Sequence, residues 1–166
     1  MAKTIGIVSL GCAKNQVNAE QMLYLLDAAG YEITTQVEDV DVVIVNTCGF
    51  IESAKSEAIN QILELAALKA EGKIGKILVT GCLPERYRTE LLKELPEVDG
   101  VLGTGSYGDV VEAVDALFAG EKPAFFGDID APEADCSRVL TTPDYYAYLK
   151  IAEGCDNHCA YCVIPS

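Results

Sequence analysis

Near one end of the sequence, Cys155, Cys159 and Cys162 stand in a C-x3-C-x2-C array, Cys155-Asp156-Asn157-His158-Cys159-Ala160-Tyr161-Cys162. Three thiolates this close in sequence can hold three corners of an iron–sulfur cluster and leave the fourth iron without a protein ligand. An iron with an open position can bind and activate a small molecule, as the open position of any catalytic metal site does.

Two other readings of the array compete. A zinc site generally takes four ligands and favours paired C-x2-C knuckles. Here there is one C-x2-C, and the single histidine of the chain, His158, lies inside the array. A disulfide framework needs an oxidising compartment. The stretch Met1-Ala2-Lys3-Thr4-Ile5-Gly6-Ile7 enters a strand-like run directly and lacks the organisation of a signal peptide. The cluster reading is therefore preferred.

Three further cysteines, Cys12, Cys48 and Cys82, are far apart in sequence, but each follows an apolar run and each has a glycine neighbour: Gly11-Cys12, Cys48-Gly49 and Gly81-Cys82. Taken singly, such a cysteine reads as a small buried hydrophobe. Taken together they read as a second ligand set, provided the fold brings the three runs side by side. Glycines beside the sulfurs would let backbone approach a bulky inorganic group and offer it N–H bonds. Cys136 has no such partners and reads as incidental.

The elements that must position these residues follow from alternating patterns. Strands are expected at 5–10, 31–35, 41–46, 76–80 and 98–102, the third buried on both faces because its apolar run is continuous. Helices are expected at about 15–29, 53–70, 84–95 and 107–118, with Gly30 ending the first and Pro84 in the first turn of the third. Strands alternating with helices imply βαβ units and a parallel sheet covered on both faces. The pattern predicts an α/β, flavodoxin-like, doubly wound five-stranded parallel sheet of order 2-1-3-4-5 over residues 1–119. In that order the strands preceding Cys12, Cys48 and Cys82 are neighbours, so their carboxyl ends share one mouth at the topological switch point.

Residues 120–144 hold Pro123, Pro132 and Pro143, several acids and no clear period, and read as a linker. Residues 145–151, Tyr-Tyr-Ala-Tyr-Leu-Lys-Ile, read as a strand leading into the C-x3-C-x2-C loop, so that 145–166 is the start of a second domain.

Composition narrows the class. The chain has 166 residues, is 50% hydrophobic and can bury one substantial core. No apolar run approaches the roughly 18 residues of a membrane span, so a soluble cytoplasmic protein with no membrane partner is expected. A formal charge of −14 repels phosphate backbones and suits a basic protein partner, though acidity alone also keeps a domain soluble. Gly103-Thr104-Gly105-Ser106-Tyr107-Gly108 fits G-x-G-x-x-G, but it sits at the last βα turn, where a dinucleotide site would use the first.

These pieces resemble the radical S-adenosylmethionine methylthiotransferases. The resemblance rests on Ser9-Leu10-Gly11-Cys12-Ala13-Lys14-Asn15, Asn46-Thr47-Cys48-Gly49-Phe50, Thr80-Gly81-Cys82-Leu83 and Glu153-Gly154-Cys155 through Cys162. The first of these looks more like the branch that methylthiolates an aspartate of a small-subunit ribosomal protein than the branch acting on tRNA adenosine. After Asn15 that branch usually reads along the lines of Leu-Val-Asp-Ser-Glu, whereas this chain has Gln16-Val17-Asn18-Ala19-Glu20.

The resemblance implies two [4Fe-4S] clusters, one on Cys12, Cys48 and Cys82, the other on Cys155, Cys159 and Cys162 with Tyr161 beside S-adenosylmethionine. It further implies that the second cluster passes an electron into S-adenosylmethionine to generate a hydrogen-abstracting radical. The first then presents sulfur to the carbon, and a second S-adenosylmethionine supplies methyl. A basic ribosomal protein, with tRNA the weaker alternative, and an electron-donor protein are the implied partners. Residues 145–166 hold only the opening of a radical domain, so residues 1–166 alone are not expected to catalyse. The rival from another class is an electron-transfer module, which calls for four protein ligands per cluster.

Overall fold

The computed structural model describes residues 3–130, 136–152 and 154–162. The expected linker and second-domain segments therefore fall partly on 131–135, 153 and 163–166, outside the described residues.

The elements run β1 (Thr4–Ser9), α1 (Ala13–Ala28), β2 (Glu32–Thr34), β3 (Val40–Thr47), α2 (Glu52–Ala70), β4 (Ile74–Gly81), α3 (Cys82–Glu94), β5 (Gly100–Leu102), a 3₁₀ turn at Thr104–Asp109, α4 (Val110–Phe118) and β6 (Ala124–Phe125). All pairings are parallel and the order is β2-β1-β3-β4-β5-β6. The expected order 2-1-3-4-5 holds. The sheet has six strands because Ala124 and Phe125, in the expected linker, pair with Val101 and Leu102. Two residues are too few to show a period of two, so this edge strand leaves no pattern in the sequence.

Side chains alternate across the sheet and build two cores. Val42 and Ile44 of β3 and Leu78 of β4 face a cluster with Met22 and Leu26 of α1 and Val110, Val114 and Leu117 of α4. Their neighbours Val43, Val45, Ile77 and Val79 face Ile62 and Leu65 of α2 and Leu83 and Leu91 of α3. Both faces of β3 and β4 are thus covered, as a continuous apolar run requires. Gly30, at φ +89°, ends α1 in the left-handed conformation that glycine adopts without strain.

Residues 145–151 form no strand. The Tyr/Leu/Ile content favours β structure, but the segment pairs with neither edge of the sheet. Residues 138–150 instead lie along α1. Glu20 is 1% exposed, and its Oε1 accepts from Thr141 N (2.8 Å) and Thr141 Oγ1 (2.9 Å). Its Oε2 pairs with Arg138 at 3.5 Å, and Asn18 Oδ1 accepts from Lys150 Nζ at 2.7 Å. The segment after residue 120 therefore begins as an edge strand and continues as a strap.

Candidate metal centre at the carboxyl ends of the sheet

Register places the first cysteine set. Ser9 pairs with Asn46, and Thr47 with Gly81, so β1, β3 and β4 end level with one another. Cys12 caps the N-terminus of α1, Cys48 follows β3, and Cys82 is the first residue of α3. The sequence pattern puts Cys82 in a loop ahead of a helix starting near Pro84. The helix begins two residues earlier and carries the sulfur on its first turn.

Asn15, 1% exposed, is the centre of this arrangement. Its Oδ1 accepts from Cys12 Sγ and from Cys82 Sγ, each at 3.9 Å, so the two sulfurs lie no further apart than twice that distance. Its Nδ2 donates to Thr47 O at 2.8 Å, immediately before Cys48. Asn46 Nδ2 returns a bond to Asn15 O at 2.7 Å. Arg86 Nη1 donates to Gly49 O at 3.3 Å, tying the Cys48 turn to α3.

The glycines also serve close packing within the site. A Cβ on Gly81 would lie 2.3 Å from Thr47 O, and Gly81 also has φ +100°. A Cβ on Gly49 would lie 3.1 Å from Leu83 N. A Cβ on Gly11 would lie 2.3 Å from Asn15 Cβ. At Gly49 and Gly81 the missing side chain lets the Cys48 and Cys82 turns close against each other, and at Gly11 it makes room for Asn15.

The electrostatics at Cys82 oppose ionisation of its thiol. Burial, then the neighbouring Cys48, pushes the Cys82 thiol up to about 11; Cys12 adds to this, and Lys14 opposes it. Among the described residues, no three His, Cys, Asp or Glu side chains stand at the spacing of a single bound ion. A cluster is a body of several irons, and its thiolates stand further apart than the ligands of one ion.

The donor set and its surroundings fit such a group. The three donors are thiols, the soft ligands of iron–sulfur centres. Helix α1 begins just after Cys12 and α3 begins at Cys82, and neither has a side-chain cap: the capping positions are Cys12 and Gly81. First-turn amides normally need an acceptor. The two uncapped N-termini at Cys12 and Cys82 provide N–H groups and positive dipole ends for an anionic cluster.

The second set is less assembled. Cys155 and Cys159 are exposed and Cys162 is half-buried. Their links are local: Asn157 Nδ2 approaches Cys155 Sγ at 3.6 Å, and Cys162 N donates to Cys159 O at 3.0 Å. Tyr161 is exposed. Cys136 is half-buried. The G-x-G-x-x-G stretch is filled by the protein itself, since Thr104 N donates to Glu85 Oε2 and Gly103 N to Phe125 O.

Residues 4–103 match the profile of the uncharacterized protein family UPF0004. The chain belongs to the UPF0004 family. That match spans β1 through β5 and all three strand-end cysteines. Curated relatives extend the likeness over the remaining residues. A protein of Lachnoclostridium phytofermentans named ribosomal protein uS12 methylthiotransferase RimO is 49% identical over 162 residues, 97% of this chain and 37% of its own length. Its namesake in Pelotomaculum thermopropionicum is 51% identical over 172 residues, 100% of this chain and 38% of its own length. The one in Clostridioides difficile is 47% identical over 162 residues, 97% of this chain and 36% of its own length. The resemblance to the ribosomal-protein branch of the methylthiotransferases therefore holds, and the chain spans well under half the length of these relatives. Among solved structures, a de novo designed Rossmann 2x3 fold protein has a TM-score of 0.43 at 19% identity, covering 72% of this chain and 91% of its own.

Proposed function

We propose that this chain is the cluster-bearing N-terminal part of a methylthiotransferase acting on ribosomal protein uS12, at the β-carbon of an aspartate. The observation that carries the reading is the convergence of the Cys12, Cys48 and Cys82 turns around Asn15 at the level ends of β1, β3 and β4, with Cys12 and Cys82 at uncapped helix N-termini. Relatives named for that activity across nearly the whole chain support it.

The two [4Fe-4S] clusters, with S-adenosylmethionine, would supply the one-electron chemistry that an unactivated C–H bond requires, which lies beyond a general base. The protein's part lies in holding and sheltering. Cys12, Cys48 and Cys82 hold one group as a three-thiolate set. The first-turn amides of α1 and α3 would offset its negative charge. Lys14, close enough to bias Cys82 toward the thiolate, adds a further positive charge. Cys155, Cys159 and Cys162 would hold the other group, and Tyr161 would contribute to binding S-adenosylmethionine. The strap 138–150 joins the two regions across α1.

The acidic balance suits a basic ribosomal protein in the cytoplasm better than tRNA, and an electron-donor protein completes the partners. Among the described residues, no helix is long and apolar enough to cross a membrane. Without the remainder present in the longer relatives, residues 1–166 are not expected to turn over substrate.

The test is iron per chain and visible spectrum after anaerobic reconstitution of three proteins: the parent, Cys12→Ala/Cys48→Ala/Cys82→Ala, and Cys155→Ala/Cys159→Ala/Cys162→Ala. The expected result is that each triple variant retains about four irons, the complement of one cluster. Parent-level iron in the first variant would sink the strand-end site. Four protein ligands at either cluster would favour the electron-transfer alternative.

A further inference from the structure

The strand-end set is held together by one side chain that is not itself a metal ligand. Asn15 reaches all three cysteine turns: Cys12 and Cys82 through their sulfurs, and Cys48 through the carbonyl of Thr47. Its amide can face only one way. Thr47 O is an acceptor and so must meet the NH₂ group, which leaves Oδ1 for the two sulfurs. Oδ1 meets the two sulfurs as the acceptor of their S–H groups, each at 3.9 Å. Gly11 makes room for this side chain, since a Cβ there would lie 2.3 Å from Asn15 Cβ and 2.4 Å from Asn15 Nδ2.

No other residue type of this size offers both functions. Aspartate lacks the donor for Thr47 O, and alanine lacks both donor and acceptor. A buried asparagine in a helix next to the cap is costly unless its bonds are made. Here every polar atom of the side chain is occupied by the site.

We infer that Asn15 is the positioning residue that holds the metal-free thiols of Cys12 and Cys82 in loading geometry and ties the Cys48 turn to them. The inference rests on the strand-end set being a cluster site. Asn15 acts on the empty form, because the sulfurs surrender to solvent base the protons they share with Oδ1 when they become iron ligands. Loss of Asn15 therefore slows assembly and leaves the final iron content unchanged.

The direct test uses the 166-residue chain with Cys48, Cys136, Cys155, Cys159 and Cys162 replaced by alanine, leaving Cys12 and Cys82 as its thiols. A bifunctional reagent that fluoresces only after bridging two sulfurs reports their approach without any metal. Asn15→Ala and Asn15→Asp are compared with Asn15 at temperatures where circular dichroism shows the parent fold. Bridging is expected to slow roughly three- to tenfold, the scale of one or two weak hydrogen bonds, while alkylation by a monofunctional reagent is unchanged. Equal bridging in either folded variant overturns the inference. So does the absence of a folded state in both, which would make Asn15 a core residue of the fold.

A second arm follows iron uptake in the Cys155→Ala/Cys159→Ala/Cys162→Ala background, with and without Asn15→Ala. Slower uptake to the same final spectrum is expected. No uptake in the background itself, with Asn15-dependent bridging, rejects the cluster and keeps the positioning. Normal uptake with Asn15-independent bridging does the reverse.

Discussion

At the residue scale, the site is made of groups whose effects can be separated. Gly81→Ala combines a positive φ with a contact against Thr47 O, so it should cost roughly 1–3 kcal/mol from backbone strain alone, measured by urea unfolding of the metal-free chain. Cys82 should alkylate more slowly than Cys12 at neutral pH, since Cys82 is half-buried with a raised pKa and Cys12 is exposed. Equal rates measured by mass spectrometry would contradict the burial assigned to Cys82. The Tyr31 hydroxyl, buried first and hydrogen-bonded to Asp115 second, is pushed up to about 12 from 10.0. The unfolded chain ionises first, so this contribution is present below pH 10 and is lost as pH rises to about 12. Thermal melts of Tyr31→Phe and parent should converge across that window. The cysteines are legible in the sequence by their glycine neighbours, because strand-end position is encoded in the apolar runs before them. Asn15 is legible only as part of a motif. A polar residue near the start of a helix ordinarily faces water, and no local pattern reveals that this one is buried among three turns.

Among elements, α1 is the one whose sequence says least about its surroundings. Asn15, Asn18 and Glu20 are all buried on it, so its apolar stripe is blurred. The strap explains two of them: Asn18 and Glu20 are covered by residues 138–150. Glu20→Gln leaves Arg138 without its charge partner and should cost roughly 1–3 kcal/mol. Faster amide exchange of 138–150, with the exchange of β3 unchanged, would place the loss in the strap. By contrast α2 shows its burial openly, with Ala58, Ile62 and Leu65 at helical spacing. Ile62→Ala should cost about 2–5 kcal/mol by cavity formation, read from the shift in denaturation midpoint. The five longer strands and four helices are legible because each has several turns or pleats of pattern. β6 is not, because two residues carry no period. The strand expected over 145–151 has β-forming residues but is held along α1 instead of at an edge of the sheet, which composition cannot show.

For the whole molecule, charge and topology act over different ranges. A formal charge of −14 makes encounter with a basic partner dependent on ionic strength. Binding of a uS12-derived basic peptide should weaken as salt rises, and salt-independent binding would remove charge as the reason for that partner. The sheet gathers residues separated by long stretches of chain at one edge, whereas the C-x3-C-x2-C array needs only a short loop. That difference accounts for the assembled first set and the merely local contacts of the second. Helix α1 has one more consequence. Its first turn carries Cys12 and Asn15, and the turns after it carry the bonds that pin the strap leading to Cys155. Thermodynamic reciprocity then applies: if filling the strand-end site stiffens α1, it must also tighten the strap, and loosening the strap must weaken the site by the same factor. The helix makes the two regions joint signatories to one equilibrium, so neither can be titrated without the other recording it.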